Sequence, residues 1–217
     1  MPRTLYLLFT PSLCAAEPWT TLREAIAGGV DLVQWRTPQP DRDGALRCIE
    51  ICGERGVPVI VNDHVELAAR LGAYGAHVGQ GDLPARRARR LLRPGQFLGV
   101  STHDLEQIAR ATADGADHVG FGPMFATKTK GYATGQPDGA LRAALEQSLV
   151  PVWPIGGISG ANVSRVVREG ARRAAVASAI LHAPDPRRAA AELRAALAVE
   201  VAHCATIARV DPVAPDV

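Results

Sequence analysis

The chain has 217 residues, enough for one large domain and short of two comfortable ones. Hydrophobic residues are 47% and charged residues 21%, the balance of a globular α/β protein with a sizeable core rather than of a disordered or fibrous chain. A net charge of +2 supplies no strong field toward nucleic acid or membrane, so neither is an expected partner.

At the N-terminus, Pro2-Arg3 leads straight into Thr4-Leu5-Tyr6-Leu7-Leu8-Phe9. That run is too short for a signal core and reads as a first buried strand. No apolar run reaches the length of a membrane span. Of Cys14, Cys48, Cys52 and Cys204, only Cys48 and Cys52 have suggestive spacing, and i,i+4 on an apolar helix face reads as a packing pair. With no signal and no disulfide pattern, the expected location is the cytoplasm. The arginines at 86, 87, 89 and 90 read as the solvated side of a helix. The sequence does not set the oligomeric state, and a homo-oligomer stays open.

Beyond the first strand the chain alternates. Helices are expected at about 19–28, 43–55, 64–71, 84–92, 104–114, 138–147, 161–169 and 185–199. A weak repeat marks half of the strand starts: Gly29-Val30-Asp31, Gly72-Ala73-Tyr74, Gly115-Ala116-Asp117 and Gly170-Ala171-Arg172. Each glycine is placed to end a helix in the left-handed conformation before an apolar strand. Val57–Val61, Phe97–Val100 and Val150–Ile155 supply the strands between. Counted with the N-terminal run they make eight, and they show no strict alternation, as expected where both faces are covered. Eight strands alternating with eight helices predict a single (β/α)₈ TIM barrel over residues 1–200, with a doubly wound open sheet as the alternative. Residues 201–217 lose periodicity and are expected to form a loosely ordered tail.

In such a barrel the chemistry belongs to the loops after the strands. Two strands end in an aspartate, at Asn62-Asp63 and at Gly79-Gln80-Gly81-Asp82. Carboxylates brought together there repel unless a cation lies between them, and a hard ion such as Mg²⁺ takes one or two carboxylates plus substrate phosphates. Gly156-Gly157 after the seventh strand and Ala177-Ser178 after the eighth occupy the usual phosphate position of the fold, although a plain tight turn is the competing reading of Gly-Gly. The loop after the sixth strand carries Thr127, Lys128, Thr129 and Lys130, and could fold over an anion. Arg36 and Lys130 are candidates to neutralise a second phosphate. His77 and His118 read as barrel-wall residues, whereas His64 and His103 lie beside candidate positions. No nucleophile–His–Asp set emerges. Two anion sites with a carboxylate metal site imply two substrates, one of them a diphosphate.

These loops resemble one family. The motifs are Gln34-Trp35-Arg36, Asn62-Asp63, Gly79-Gln80-Gly81-Asp82-Leu83-Pro84, Gly99-Val100-Ser101-Thr102-His103, Gly122-Pro123-Met124-Phe125, Thr127-Lys128-Thr129-Lys130, Ile155-Gly156-Gly157-Ile158 and Ala177-Ser178-Ala179-Ile180. In this order they are similar to the thiamine-phosphate synthase family, over about residues 4–195. The resemblance implies a transferase of thiamine biosynthesis. It would join hydroxymethylpyrimidine diphosphate to thiazole phosphate with release of pyrophosphate. It implies Asp63 and Asp82 as Mg²⁺ ligands, and Gln34, Arg36, Asn62, Ser101 and Lys130 as contacts to the pyrimidine diphosphate. Thr127, Thr129, Gly157, Ala177 and Ser178, with Gly156 beside them, are implied at the thiazole phosphate. Arg36, Ser101 and Lys130 are the expected catalytic residues.

One departure stands out. The family reads Gln-x-Arg-x-Lys after the second strand, and this chain has Pro38 where the lysine belongs. Ala126, where proline is frequent, is milder. Pro38 keeps two alternatives open: a thiazole tautomerase-like paralogue, or a non-catalytic barrel binding thiazole phosphate. Asp63, Asp82 and Lys130 argue against the tautomerase branch, which would carry a histidine where this chain has Pro123. An isomerase of sugar or indole phosphates would need a general acid/base pair that the sequence does not offer.

Overall fold

The computed structural model describes residues 3–126 and 133–198. Eight parallel strands run β1 (Leu5–Phe9), β2 (Leu32–Trp35), β3 (Val59–Asn62), β4 (Gly75–Val78), β5 (Phe97–Thr102), β6 (His118–Phe121), β7 (Val152–Pro154) and β8 (Ala174–Val176). From β1 to β7 each strand is hydrogen-bonded to the next in sequence, and β1 also pairs with β8. Between β7 and β8 a single parallel bridge, Ile155 with Ala175, brings the sheet to near closure as a (β/α)₈ barrel. Pro154 at the end of β7 has no N–H to donate, which fits this thin seam. No helix among the described residues is long and apolar enough to cross a membrane.

Strand parity divides the core in two. Tyr6, Leu8, Leu32, Ile60, Trp153 and Ala175 point to the barrel axis and pack on one another. Leu5, Leu7, Phe9, Val33, Trp35, Val59, Val61 and their counterparts point outward, beneath the helices. Every residue in β1, β2, β3, β4 and β6 is buried, which is why the strands read as continuous apolar runs.

The helices are α1 (Pro18–Ala27), α2 (Arg42–Gly53), α3 (Val65–Leu71), α4 (Ala85–Leu91), α5 (Leu105–Ala113), α6 (Ala140–Gln147), α7 (Val163–Arg168), α8 (Ser178–Leu181) and α9 (Pro186–Ala198). Sequence periodicity finds eight of these and overlooks α8, which is one turn long. A short 3₁₀ turn, Pro11–Leu13, also goes unpredicted. Asp41 and Asp104 cap α2 and α5 by accepting the N–H of Gly44 (3.0 Å) and Gln107 (2.7 Å). Cys48 and Cys52 are fully buried among apolar neighbours, as a packing pair should be.

The four repeat glycines all have positive φ: Gly29 107°, Gly72 65°, Gly115 92° and Gly170 106°. The aspartate of the repeat has a structural task that the sequence does not reveal. Asp31 accepts from the backbone N–H groups of Thr4 and Leu5 at 2.9–3.0 Å and from Arg194 Nη1 at 3.1 Å. Asp117 likewise accepts from Leu98 N–H at 2.7 Å and Arg89 Nη1 at 2.9 Å. Both lie at the amino ends of the strands and satisfy donors where β1 and β5 begin. Arg89 is therefore a bridging residue, while Arg86, Arg87 and Arg90 are exposed.

Candidate active site

A cavity opens at the carboxyl ends of the strands, with about 680 Å³ of empty space that is partly open to solvent. Arg36, Ser101, Gly156, Gly157, Ala177 and Ser178 all line it, joined by His103, Gly120 and Ile155. Residues from β2, β5, β6, β7 and β8 thus converge where this fold places its chemistry.

On the β7–β8 side, Gly156 and Gly157 have φ of 95° and 67°. Side chains rarely adopt that backbone, and a Cβ at Gly157 would press to 2.8 Å on Phe125 and on the Ala126 carbonyl. The turn is locked by its neighbours: Phe125 N–H donates to the Gly156 carbonyl at 3.0 Å. Asn162 Nδ2 donates to the Gly157 carbonyl at 2.8 Å, and Asn162 Oδ1 accepts from Ser159 N–H. Asn162 is thus engaged in holding the turn.

Opposite this turn, Arg36 is half-buried and lies within electrostatic range of both Asp63 and Asp82. Burial lowers its pKa, against the pull of Asp63, Tyr6 and Asp82, and the guanidinium stays charged. Asp63 follows β3 with φ 59°, the one described non-glycine residue with positive φ. Its N–H donates to the His77 carbonyl at 2.8 Å, which ties it to β4. Its carboxyl is within hydrogen-bonding reach of Asp82, and its pKa is raised to about 6. Burial is the larger cause and the Asp82 carboxylate the next, while Arg36 and His64 act in the opposite direction. Asp82 Oδ2 accepts the Gly79 N–H at 2.8 Å, which holds the carboxylate in the turn after β4.

Two adjacent carboxylates whose charges oppose one another suit a divalent cation. No group of three or more His, Cys, Asp or Glu side chains among the described residues forms a closed metal site. A pair that leaves the remaining positions to water and phosphate is the pattern of Mg²⁺ rather than of a structural metal. The pair sits at the rim, outside the cavity proper. Asp63 faces a recess with Pro40, His64, Arg70 and Arg87, and Arg36 links the rim to the cavity.

Gln34 and Asn62 are buried inside the barrel mouth, at 2% and 8% exposure. Gln34 Nε2 donates to Tyr6 Oη at 2.8 Å. Pro38 is exposed in the loop after β2 and leaves that position without a cation. Thr127, Thr129 and Lys130 lie outside the described residues.

Sequence reasoning did not pick out several site neighbours. His77 is buried, as a wall residue should be, but its Nε2 is also 2.9 Å from Ser101 Oγ and so reaches the site. Gln80 Nε2 donates to the Ser101 carbonyl at 2.6 Å. Arg165 on α7 holds both feet of the loop after β6. It donates to the Gln136 carbonyl at 3.0 Å, pairs with Asp138 at 2.6 Å and lies 5.3 Å from the Phe125 ring centre. Parity gives a signal for His77, which shares the inward face with Gly75 and precedes Gly79 by two. Nothing local marks Arg165.

The comparisons with known proteins agree with this geometry. The family model for thiamine monophosphate synthase matches residues 5–180. A thiamine-phosphate synthase of Chloroflexus aurantiacus is 42% identical over 184 residues, covering 82% of this chain and 84% of the relative. The thiamine biosynthesis bifunctional protein ThiED of Geobacter sulfurreducens is 43% identical over 176 residues, and the match spans 78% of this chain but 35% of that longer protein. Among solved structures, thiamine phosphate pyrophosphorylase from Pyrococcus furiosus superposes with a TM-score of 0.81 at 29% identity, covering 89% of this chain and 95% of that one. By sequence, fold and the residues gathered at the barrel mouth, the chain belongs to the thiamine monophosphate synthase family.

Proposed function

We propose that the protein is a Mg²⁺-dependent thiamine-phosphate synthase. It joins hydroxymethylpyrimidine diphosphate to thiazole phosphate, forming thiamine phosphate and pyrophosphate. The observation that carries this reading is one mouth holding both halves of the chemistry. The Asp63–Asp82 pair and Arg36 lie on one side, and the Gly156–Gly157 turn with Ala177–Ser178 on the other. Family membership supports it independently.

In this reading the pyrimidine C–O bond breaks and its electron pair leaves with pyrophosphate. The resulting methylene cation is delocalised into the aminopyrimidine ring. The thiazole nitrogen lone pair then forms the new C–N bond. No proton is transferred at the reacting atoms, so the step needs no general base. Mg²⁺ held by Asp63 and Asp82 would supply positive charge beside the diphosphate. Arg36 neutralises the leaving group from within the cavity, and Lys130 is assigned the same task on the loop after β6. Gln34, Asn62 and Ser101 orient the pyrimidine, with His77 holding the Ser101 hydroxyl. Gly156, Gly157, Ala177 and Ser178, with Thr127 and Thr129, hold the thiazole phosphate.

The test is product formation. Purified protein supplied with both substrates and Mg²⁺ should yield thiamine phosphate, identified by mass. Absence of product with thiazole phosphate still bound would replace this reading with that of a binding barrel.

A further inference from the structure

Two inward positions on adjacent strands are glycines, Gly99 on β5 and Gly120 on β6, and their surroundings differ. A Cβ at Gly99 would lie 2.3 Å from His77 Nδ1 and 2.4 Å from His118 Nε2. Its space is taken by two imidazoles whose centres are 5.7 Å apart. Packing alone explains that glycine. Among the described residues, a Cβ at Gly120 would meet nothing nearer than His77 Cε1 at 3.6 Å and Ile155 Cγ2 at 3.8 Å, both ordinary contacts. Gly120 does not have positive φ. It is an ordinary ladder residue, paired with Ser101 on one side and Trp153 on the other. Neither backbone nor packing asks for glycine there.

A glycine inside a strand weakens it, and where the protein leaves its side unfilled, close approach of a ligand is the usual reason. Gly120 lines the mouth cavity. We propose that Gly120 sets the depth of the ring pocket: its missing side chain is the space in which the edge of the pyrimidine ring lies, between His77 and Ser101 on one side and Ile155 on the other. The ring is assigned by chemistry. Ser101 Oγ and His77 Nε2, 2.9 Å apart, offer polar atoms to a ring bearing nitrogens and an amino group. The turns assigned to the thiazole phosphate begin beyond Ile155, on the other side of Gly120 from Ser101 and His77. This proposal rests on the synthase reading and adds a specificity-determining residue to it.

The test compares wild type, Gly120→Ala and Gly99→Ala by thermal unfolding, and by calorimetric binding of pyrimidine diphosphate and of thiazole phosphate, with product formation read alongside. Gly120→Ala should unfold at or above the wild-type temperature, because the added methyl costs no contact and restrains the unfolded chain. It should lose about tenfold in affinity for pyrimidine diphosphate, the effect of one misplaced carbon in a ring pocket, and keep its affinity for thiazole phosphate. Gly99→Ala should unfold at a lower temperature. Unchanged pyrimidine diphosphate binding by Gly120→Ala would overturn the proposal, as would a loss confined to thiazole phosphate. A fall in unfolding temperature matching that of Gly99→Ala would show a packing glycine and overturn it too. Wild type that binds the diphosphate without forming product would remove the synthase reading and leave pocket depth to be judged on binding. Wild type that does not bind it would overturn both.

Discussion

Asp63 bears two costs at one position. Its backbone sits at φ 59°, a region that Asp and Asn tolerate and most side chains resist. Its carboxyl, half-buried beside Asp82, has a pKa of about 6 against an ordinary 3.8. The folded protein thus holds this proton more tightly than the unfolded chain does. The resulting stabilisation is fully present below pH 3.8 and is lost as pH rises through about 6. Above that range the carboxylate pair opposes folding unless a cation joins it. Without metal, Asp63→Asn should therefore unfold at a higher temperature than wild type at pH 8 and at the same temperature below the ordinary carboxylate pKa. Mg²⁺ should raise the unfolding temperature of wild type at pH 8, with an effect that fades as pH falls through about 6, and should leave Asp63→Asn unmoved. Thermal melts over pH, with and without Mg²⁺, check all of this; a Mg²⁺ shift equal in the two proteins would contradict it. His118 titrates in the opposite sense. Burial, with Arg173 near, holds its pKa down to about 4, so its contribution to stability is lost as pH falls from 6.5 toward 4. Comparison of the variant with wild type cancels that background.

At the scale of elements, the strands aim the chemistry and the loops set its strength. Gln34 and Arg36 project from one strand end at successive same-face positions, and the next such position is Pro38. A lysine there would add a charge-assisted contact to a phosphate, worth about 1.5–3 kcal/mol, or about ten- to a hundredfold in the affected step. Pro38→Lys should accordingly raise kcat/KM for pyrimidine diphosphate, with KM for thiazole phosphate unchanged. Steady-state kinetics with each substrate varied in turn provides the check. An unchanged kcat/KM would mean that this loop does not reach the diphosphate, or that Arg36 already meets its need. The loop after β6 is organised differently. Arg165 reaches it from α7 and ties Gln136 and Asp138 to the Phe125 end, so the two described ends of that loop share one support.

The whole molecule was largely legible because a closed parallel barrel makes periodic demands. Continuous apolar runs, glycines at helix ends and polar residues after strands repeat around the ring. Gly29, Gly72, Gly115 and Gly170 were readable as left-handed because each follows a helical run and precedes a strand. Asp63 and Asp82 were readable as a pair because both end strands on the same face of the barrel. Contacts between elements distant in sequence were not readable. Asp31 reaching Arg194, His77 reaching Ser101 and Arg165 clasping the β6 loop depend on tertiary placement that no local pattern encodes. The one-turn helix α8 is too short to show a period. Gly99 and Gly120 look alike in sequence, and only the neighbours of each missing Cβ distinguish them.

The central claim is that Asp63 and Asp82 together hold the metal that serves diphosphate departure. Initial rates of pyrophosphate release, measured across a Mg²⁺ titration for wild type, Asp63→Asn and Asp82→Asn, test it most directly. Wild type should release pyrophosphate only with both substrates and Mg²⁺ present, and each variant should lose nearly all of that rate at every Mg²⁺ concentration. Release by either variant at the wild-type rate, or release by wild type without Mg²⁺, would contradict the account.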